Sequence, residues 1–107
     1  MLFIPDKEIY HILSNTHWDR EWRYSARRTQ FMLGQMLDLL FDILDKNPDY
    51  KHFHLDSQTM PVQDYLEAYP EKKELFKKYV SEGRIGIGPG FCLPDEFTVG
   101  AESLIRN

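Results

Sequence analysis

Glu8-Ile9-Tyr10-His11-Ile12-Leu13, running through Ser14 into Asn15-Thr16-His17-Trp18-Asp19-Arg20-Glu21-Trp22, is the stretch on which the reading of this chain turns. The first part is an apolar, strand-like run. The second packs a histidine, two acids, an arginine and two tryptophans into eight residues. In an extended segment successive side chains alternate between faces, so His17 and Asp19, two apart, can point the same way. A neutral imidazole and a carboxylate converging from one strand end make half of a zinc site. Tryptophans beside such a pair offer flat apolar faces, a common platform for sugar rings or other ring ligands. The spacing alone leaves a second reading open, a helix-capping aspartate beside a hydrogen-bonded histidine, with Trp22 in the core.

Outward from this stretch the elements alternate. Residues 25–45 carry a helical pattern, with Leu33, Met36, Leu37, Leu40, Ile43 and Leu44 on one face and Gln35, Asp38, Asp42 and Asp45 opposite. Lys46-Asn47-Pro48-Asp49 stops it, because proline cannot extend the ladder and restricts the residue before it. A second strand is expected at 50–55. Pro61 suits the first turn of a short helix over 62–69. A further helix over 71–82 sets Leu75, Phe76, Tyr79 and Val80 on one face and ends at Gly83. Residues 84–88 read as a third strand, closed by Pro89-Gly90. Residues 99–107 look like a helix just starting.

Strands alternating with helices imply an α/β fold with a parallel sheet, whose ligands collect at the carboxyl ends of the strands. Each expected strand is followed by a polar loop: His17, Asp19 and Trp22 after the first, Asp56-Ser57-Gln58-Thr59 after the second, Phe91-Cys92-Leu93-Pro94-Asp95-Glu96 after the third. On this topology the three loops meet at one edge of the sheet. Three parallel strands cannot close a barrel, so residues 1–107 are expected to form the front part of a larger α/β enzyme domain.

Composition narrows the function classes. Hydrophobic content of 42% and charged content of 28% are ordinary for a globular protein and exclude global disorder. A net charge of −4 argues against a nucleic-acid partner, which would need a basic stripe. The Lys72-Lys73 and Lys77-Lys78 pairs lie on a helix with an apolar opposite face and read as a solvated surface. The single Cys92 excludes an internal disulfide and a thiolate zinc finger, and fits a reducing compartment. Residues 1–6 are too short and too soon acidic for a signal peptide, and no run reaches membrane-spanning length. The expectation is a cytoplasmic protein with no membrane partner.

The quoted motif, together with Leu55-Asp56-Ser57-Gln58-Thr59, with Gly88-Pro89-Gly90-Phe91-Cys92-Leu93-Pro94-Asp95-Glu96-Phe97 and with Gly100-Ala101-Glu102-Ser103-Leu104-Ile105-Arg106-Asn107, closely resembles the bacterial, cytosolic-type α-mannosidases of glycoside hydrolase family 38. The resemblance covers nearly the whole chain in order. It implies an N-terminal portion of a (β/α) barrel-like catalytic domain, with Zn2+ as cofactor and a mannose-containing oligosaccharide as substrate. It implies that His17 and Asp19 are zinc ligands and that Trp22 lies against the bound mannose ring. The family's nucleophile, a later zinc histidine and the acid/base carboxylate belong to motifs that this sequence does not contain. No catalytic residue is therefore assigned here, and the isolated chain is expected to be inactive. Many family members carry histidine where Asn15 stands, a position that holds no metal. The family mechanism retains anomeric configuration: zinc grips the 2- and 3-hydroxyls of mannose, one carboxylate attacks C1 and a second, about 5 Å away, protonates the leaving oxygen.

For the remaining residues, Asp56 is a candidate to bind a substrate hydroxyl or a metal-ligating histidine, against an Asx-turn as the alternative. Asp95 is a candidate for the site wall. Arg20 and Glu21 read as a local ion pair and Trp18 as a packing residue. His11, His52 and His54 read as hydrogen-bonded histidines, and Cys92 as a small apolar residue. Two rivals stay open: another metal-dependent carbohydrate hydrolase, such as a deacetylase, and a truncated non-catalytic remnant. Linkage specificity is undetermined at this level, and so is homo-oligomerisation of the complete enzyme.

Overall fold

The computed structural model describes residues 8–95 and 97–107; residues 1–6, read above against a signal peptide, and Glu96 of the third polar loop lie outside the described residues. The elements run β1 (Ser14–Asn15), α1 (Ala26–Lys46), β2 (Phe53–His54), α2 (Met60–Ala68), a 3₁₀ turn (Pro70–Lys72), α3 (Lys73–Ser81), β3 (Ile85–Gly86) and α4 (Ala101–Arg106). The sheet has the order β1-β2-β3 and both pairings are parallel, with Asn15 opposite His54 and His54 opposite Gly86.

Helix α1 follows its sequence cues closely. Ser25 caps it, its hydroxyl accepting from Arg28 N–H at 3.4 Å, and Lys46 places a cation in the last turn. Leu33, Leu37, Leu40 and Leu44 are buried, whereas Gln35, Asp38, Asp42 and Asp45 face outward. Phe41, absent from the expected apolar face, is buried at the centre of the core. Its ring stacks on Tyr79 at 5.8 Å and meets Phe76 edge-on at 5.9 Å and Tyr65 tilted at 5.9 Å. Such aromatic pairs add about 0.5–1.5 kcal/mol each beyond their buried area. Phe41 thereby ties α1 to α2 and α3, and Leu55 and Ile85 bring the sheet into the same cluster. The expected helix over 71–82 splits into the 3₁₀ turn and α3, because Pro70 opens the segment with a tighter turn. Gly83 ends α3 with φ +70°, where a side chain would be strained.

The strands are shorter than their sequence patterns. The apolar run at 8–13 forms no strand; the first strand is Ser14–Asn15. A strand exists only where a neighbour stays in register, and β2 offers just Phe53 and His54 to β1. The ladder extends slightly past these residues: Thr16 N–H donates to His54 O at 3.2 Å and Leu55 N–H to Gly86 O at 2.9 Å. The described strands form an open three-stranded sheet. No helix among the described residues is long and apolar enough to cross a membrane.

Two outcomes test this packing. Leu37→Ala, which empties a fully buried position, should cost about 2–5 kcal/mol in denaturant unfolding. Tyr65 donates to Asp38 Oδ1 at 2.8 Å, and burial first, then this bond, pushes its phenol well above the ordinary value of 10.0. The folded state therefore holds the proton that the unfolded chain releases, and stability falls as pH rises through that ordinary value. Tyr65→Phe should flatten this alkaline loss in unfolding midpoints measured either side of it.

Candidate functional site

The three strand-end loops meet, as the topology requires. Thr16 hangs the first loop on β2. The second and third loops are joined by a parallel bridge between Gln58 and Gly90, by Thr59 N–H donating to Gly90 O at 3.0 Å, and by Met60 N–H donating to Phe91 O at 2.8 Å. Asn107, following α4, holds the third loop from outside: its backbone carbonyl accepts from Phe91 N–H at 2.9 Å and its Oδ1 from Cys92 N–H at 2.8 Å. A Cβ on Gly90 would stand 2.6 Å from Asn107 Nδ2, so a side chain there would displace the Asn107 amide that holds the loop.

His17 is the hub. Its Nδ1 lies 2.9 Å from Asp56 Oδ2 and its Nε2 lies 3.4 Å from Asp19 Oδ1. An ionised carboxylate only accepts, so Nδ1 donates to Asp56, and in the neutral ring that a metal ligand requires the Nε2 lone pair lies on the side of Asp19. Two ligands at 2.0–2.2 Å from a tetrahedral ion lie roughly 3.3–3.6 Å apart. The His17–Asp19 separation falls within that span, so this donor pair fits a zinc ion. Among the described residues no group of three or more His, Cys, Asp or Glu side chains is arranged to hold a metal. The chain thus presents two donors, both about half exposed.

Two adjoining recesses share His17, Trp18 and Asp19 as a common wall. One, of about 270 Å³, continues to Trp22, Arg23 and Tyr24. The other, of about 490 Å³, continues to Gln58, Met60, Cys92 and Asp95. Trp22 is 70% exposed, which excludes a core role within this fold, and the Arg23 guanidinium sits 4.9 Å over its ring. Trp18 is half-buried against the core, as a packing residue should be. Asp95 forms the rim of the larger recess; its Oδ1 accepts from Phe97 N–H at 3.3 Å and its backbone carbonyl accepts from Thr98 and Val99 N–H.

The Arg20–Glu21 ion pair forms, at 2.8 Å, but Arg20 also reaches Asp64 of α2 at 3.2 Å. Burial pushes the Asp64 carboxyl up, and Arg20 pulls it back down. Asp64 escaped the sequence reading, and Gln58, quoted there within the second loop and the family motif, was given no role of its own. Gln58 is 1% exposed and its Nε2 donates to Trp18 O at 3.3 Å. His52 lies apart, its Nδ1 2.7 Å from Gly83 O; Cys92 lines the larger recess, and its thiol donates to Asn107 Oδ1 at 3.2 Å.

Residues 8–107 match the model of the glycosyl hydrolases family 38 N-terminal domain. The chain belongs to glycosyl hydrolase family 38. A protein of Halalkalibacterium halodurans provisionally named a mannosylglycerate hydrolase is 40% identical over 101 residues, covering 94% of this chain and 11% of that protein. An α-mannosidase from Enterococcus faecalis V583 of known crystal structure superposes with a TM-score of 0.84 at 41% identity, covering 89% of this chain and 11% of its own. A second family 38 protein from Enterococcus faecalis gives 0.78 at 37% identity, with the same coverage. The chain thus spans 11% of the length of these family 38 relatives.

The Arg20 pairing yields a direct check. Asp64 keeps only 11% of its side chain exposed, so Arg20→Ala leaves a largely buried carboxylate without its partner. A loss of about 1–3 kcal/mol is expected in urea unfolding, with Arg20→Lys recovering part of it.

Proposed function

We propose that this chain opens the catalytic domain of a zinc-dependent α-mannosidase, a (β/α) barrel-like domain that hydrolyses terminal α-mannosidic bonds with retention of configuration. The observation that carries the reading is the His17 Nε2–Asp19 Oδ1 separation of 3.4 Å with Nδ1 already committed to Asp56. His17 and Asp19 would hold the zinc, with further ligands from outside this chain. A zinc ion there supplies a Lewis acid to which sugar hydroxyls bind. Trp22, exposed beside the pair, presents a flat face to the mannose ring. Asp95 walls the far side of the larger recess, where a hydroxyl of the oligosaccharide can reach it. Asp56 turns one oxygen to His17, which favours support of that histidine over direct contact with substrate.

The attacking and protonating carboxylates are expected beyond these residues, so the isolated chain should lack activity. The acidic charge balance and the lone cysteine support a cytoplasmic enzyme without nucleic-acid or membrane partners. A second reading follows from the Halalkalibacterium halodurans relative, whose name specifies a mannosyl group joined to glycerate, a smaller and anionic leaving group. Assays on an aryl α-mannoside and on mannosylglycerate separate the two, and acetate release would reveal a deacetylase instead.

In the full-length protein, chelation should abolish hydrolysis of an aryl α-mannoside and zinc should restore it; full activity in a metal-free preparation would refute the reading. Trp22→Ala should weaken mannose binding by about tenfold, the scale of one aromatic contact, as read by KM with zinc content unchanged.

A further inference from the structure

Two consecutive residues after β2 have left-handed backbone: Asp56 with φ 47° and Ser57 with φ 63°. Aspartate tolerates this region better than most residues, whereas serine gains nothing there. The turn closes with Gln58 N–H donating to Leu55 O at 3.0 Å, the pattern of a type I′ turn. Backbone of this kind persists when the surroundings over-determine it, and it gathers at functional sites.

The reversal brings two side chains of one short turn onto the same neighbouring loop. Asp56 Oδ2 meets His17 Nδ1 at 2.9 Å. Gln58 Nε2 meets the carbonyl of Trp18, the residue between His17 and Asp19, at 3.3 Å. The first contact fixes which ring nitrogen carries the proton and how the ring is rotated. The second holds the peptide that sets the spacing of the two donors. Gln58 is buried, and its backbone is stitched to the third loop through Gly90.

We propose that the Asp56-Ser57-Gln58 turn is the positioning device of the His17/Asp19 pair: Asp56 orients the imidazole, and Gln58 pins the backbone between the donors. Both are positioning residues, acting on a bound metal only through the first loop. The inference rests on the zinc reading above, and its test keeps the two apart.

The measurement is zinc affinity of the full-length protein, stripped by a chelator and titrated against a chromophoric competitor. Asp56→Gly removes the carboxylate while suiting the left-handed backbone, so the turn survives. Loss of such a supporting carboxylate should weaken zinc by about 10- to 100-fold and alter the visible spectrum of the cobalt-substituted protein. Asp56→Asn, which tolerates the same backbone and keeps an acceptor oxygen, should recover most of that loss. Ser57→Gly should leave affinity unchanged and raise the unfolding temperature, separating turn geometry from side-chain chemistry. An Asp56→Gly protein that binds zinc within about twofold of the parent, while His17→Ala is impaired, would overturn the inference alone. Undiminished binding in both His17→Ala and Asp19→Ala would overturn the zinc reading beneath it.

Discussion

Strand β2 is the constraint on which the remaining structure depends. It is paired on both sides, in parallel, so the carboxyl ends of β1, β2 and β3 emerge on one edge. Antiparallel neighbours would send alternate loops to opposite ends and scatter the polar residues. Thr16 bonds to β2, and Asp56 and Gln58 leave it. Every contact that His17 makes with the second loop follows from that alignment. The site is therefore as firm as the central strand.

What holds β2 in place is mostly aromatic and aliphatic packing behind it. Leu55 and Ile85 are buried among side chains of α1, α2 and α3, with Phe41 touching three other rings. The packing is non-directional, so it sets the distance of the helices from the sheet without dictating loop geometry. The loops take their shape from polar contacts: the Gln58–Gly90 bridge, the hydrogen bonds of Asn107 to the third loop, and the ion pairs of Arg20 with Glu21 and Asp64. Apolar and polar terms divide the labour between frame and site. His17 and Asp19, half exposed at the edge of such a frame, are anchored at their root and accessible at their tip.

Helix positions were legible because amphipathic periodicity is a local property. Ser25, Pro48 and Gly83 marked ends that the fold respects within a residue or two. Strand lengths were less legible. Residues 8–13 have strand-like composition yet remain unpaired, since pairing depends on a partner that sequence composition does not reveal. Phe41 was missed for a related reason: it stands at the margin of the α1 stripe and is buried only because α3 brings Tyr79 and Phe76 over it.

The site divides along the same line. The sequence by itself brought His17 and Asp19 forward as the candidate pair, because they are neighbours on one short stretch and the family motif around them is specific. It also determined the order of elements and the meeting of three loops, since alternating strands and helices leave little topological choice. Only the tertiary structure decided the roles of Asp56, Gln58 and Asp64, which lie about forty residues along the chain from the groups they hold. Polar contacts of that range depend on how far a turn rotates and how deep a side chain sinks. Those quantities emerge when strands align and helices pack, and no local pattern encodes them.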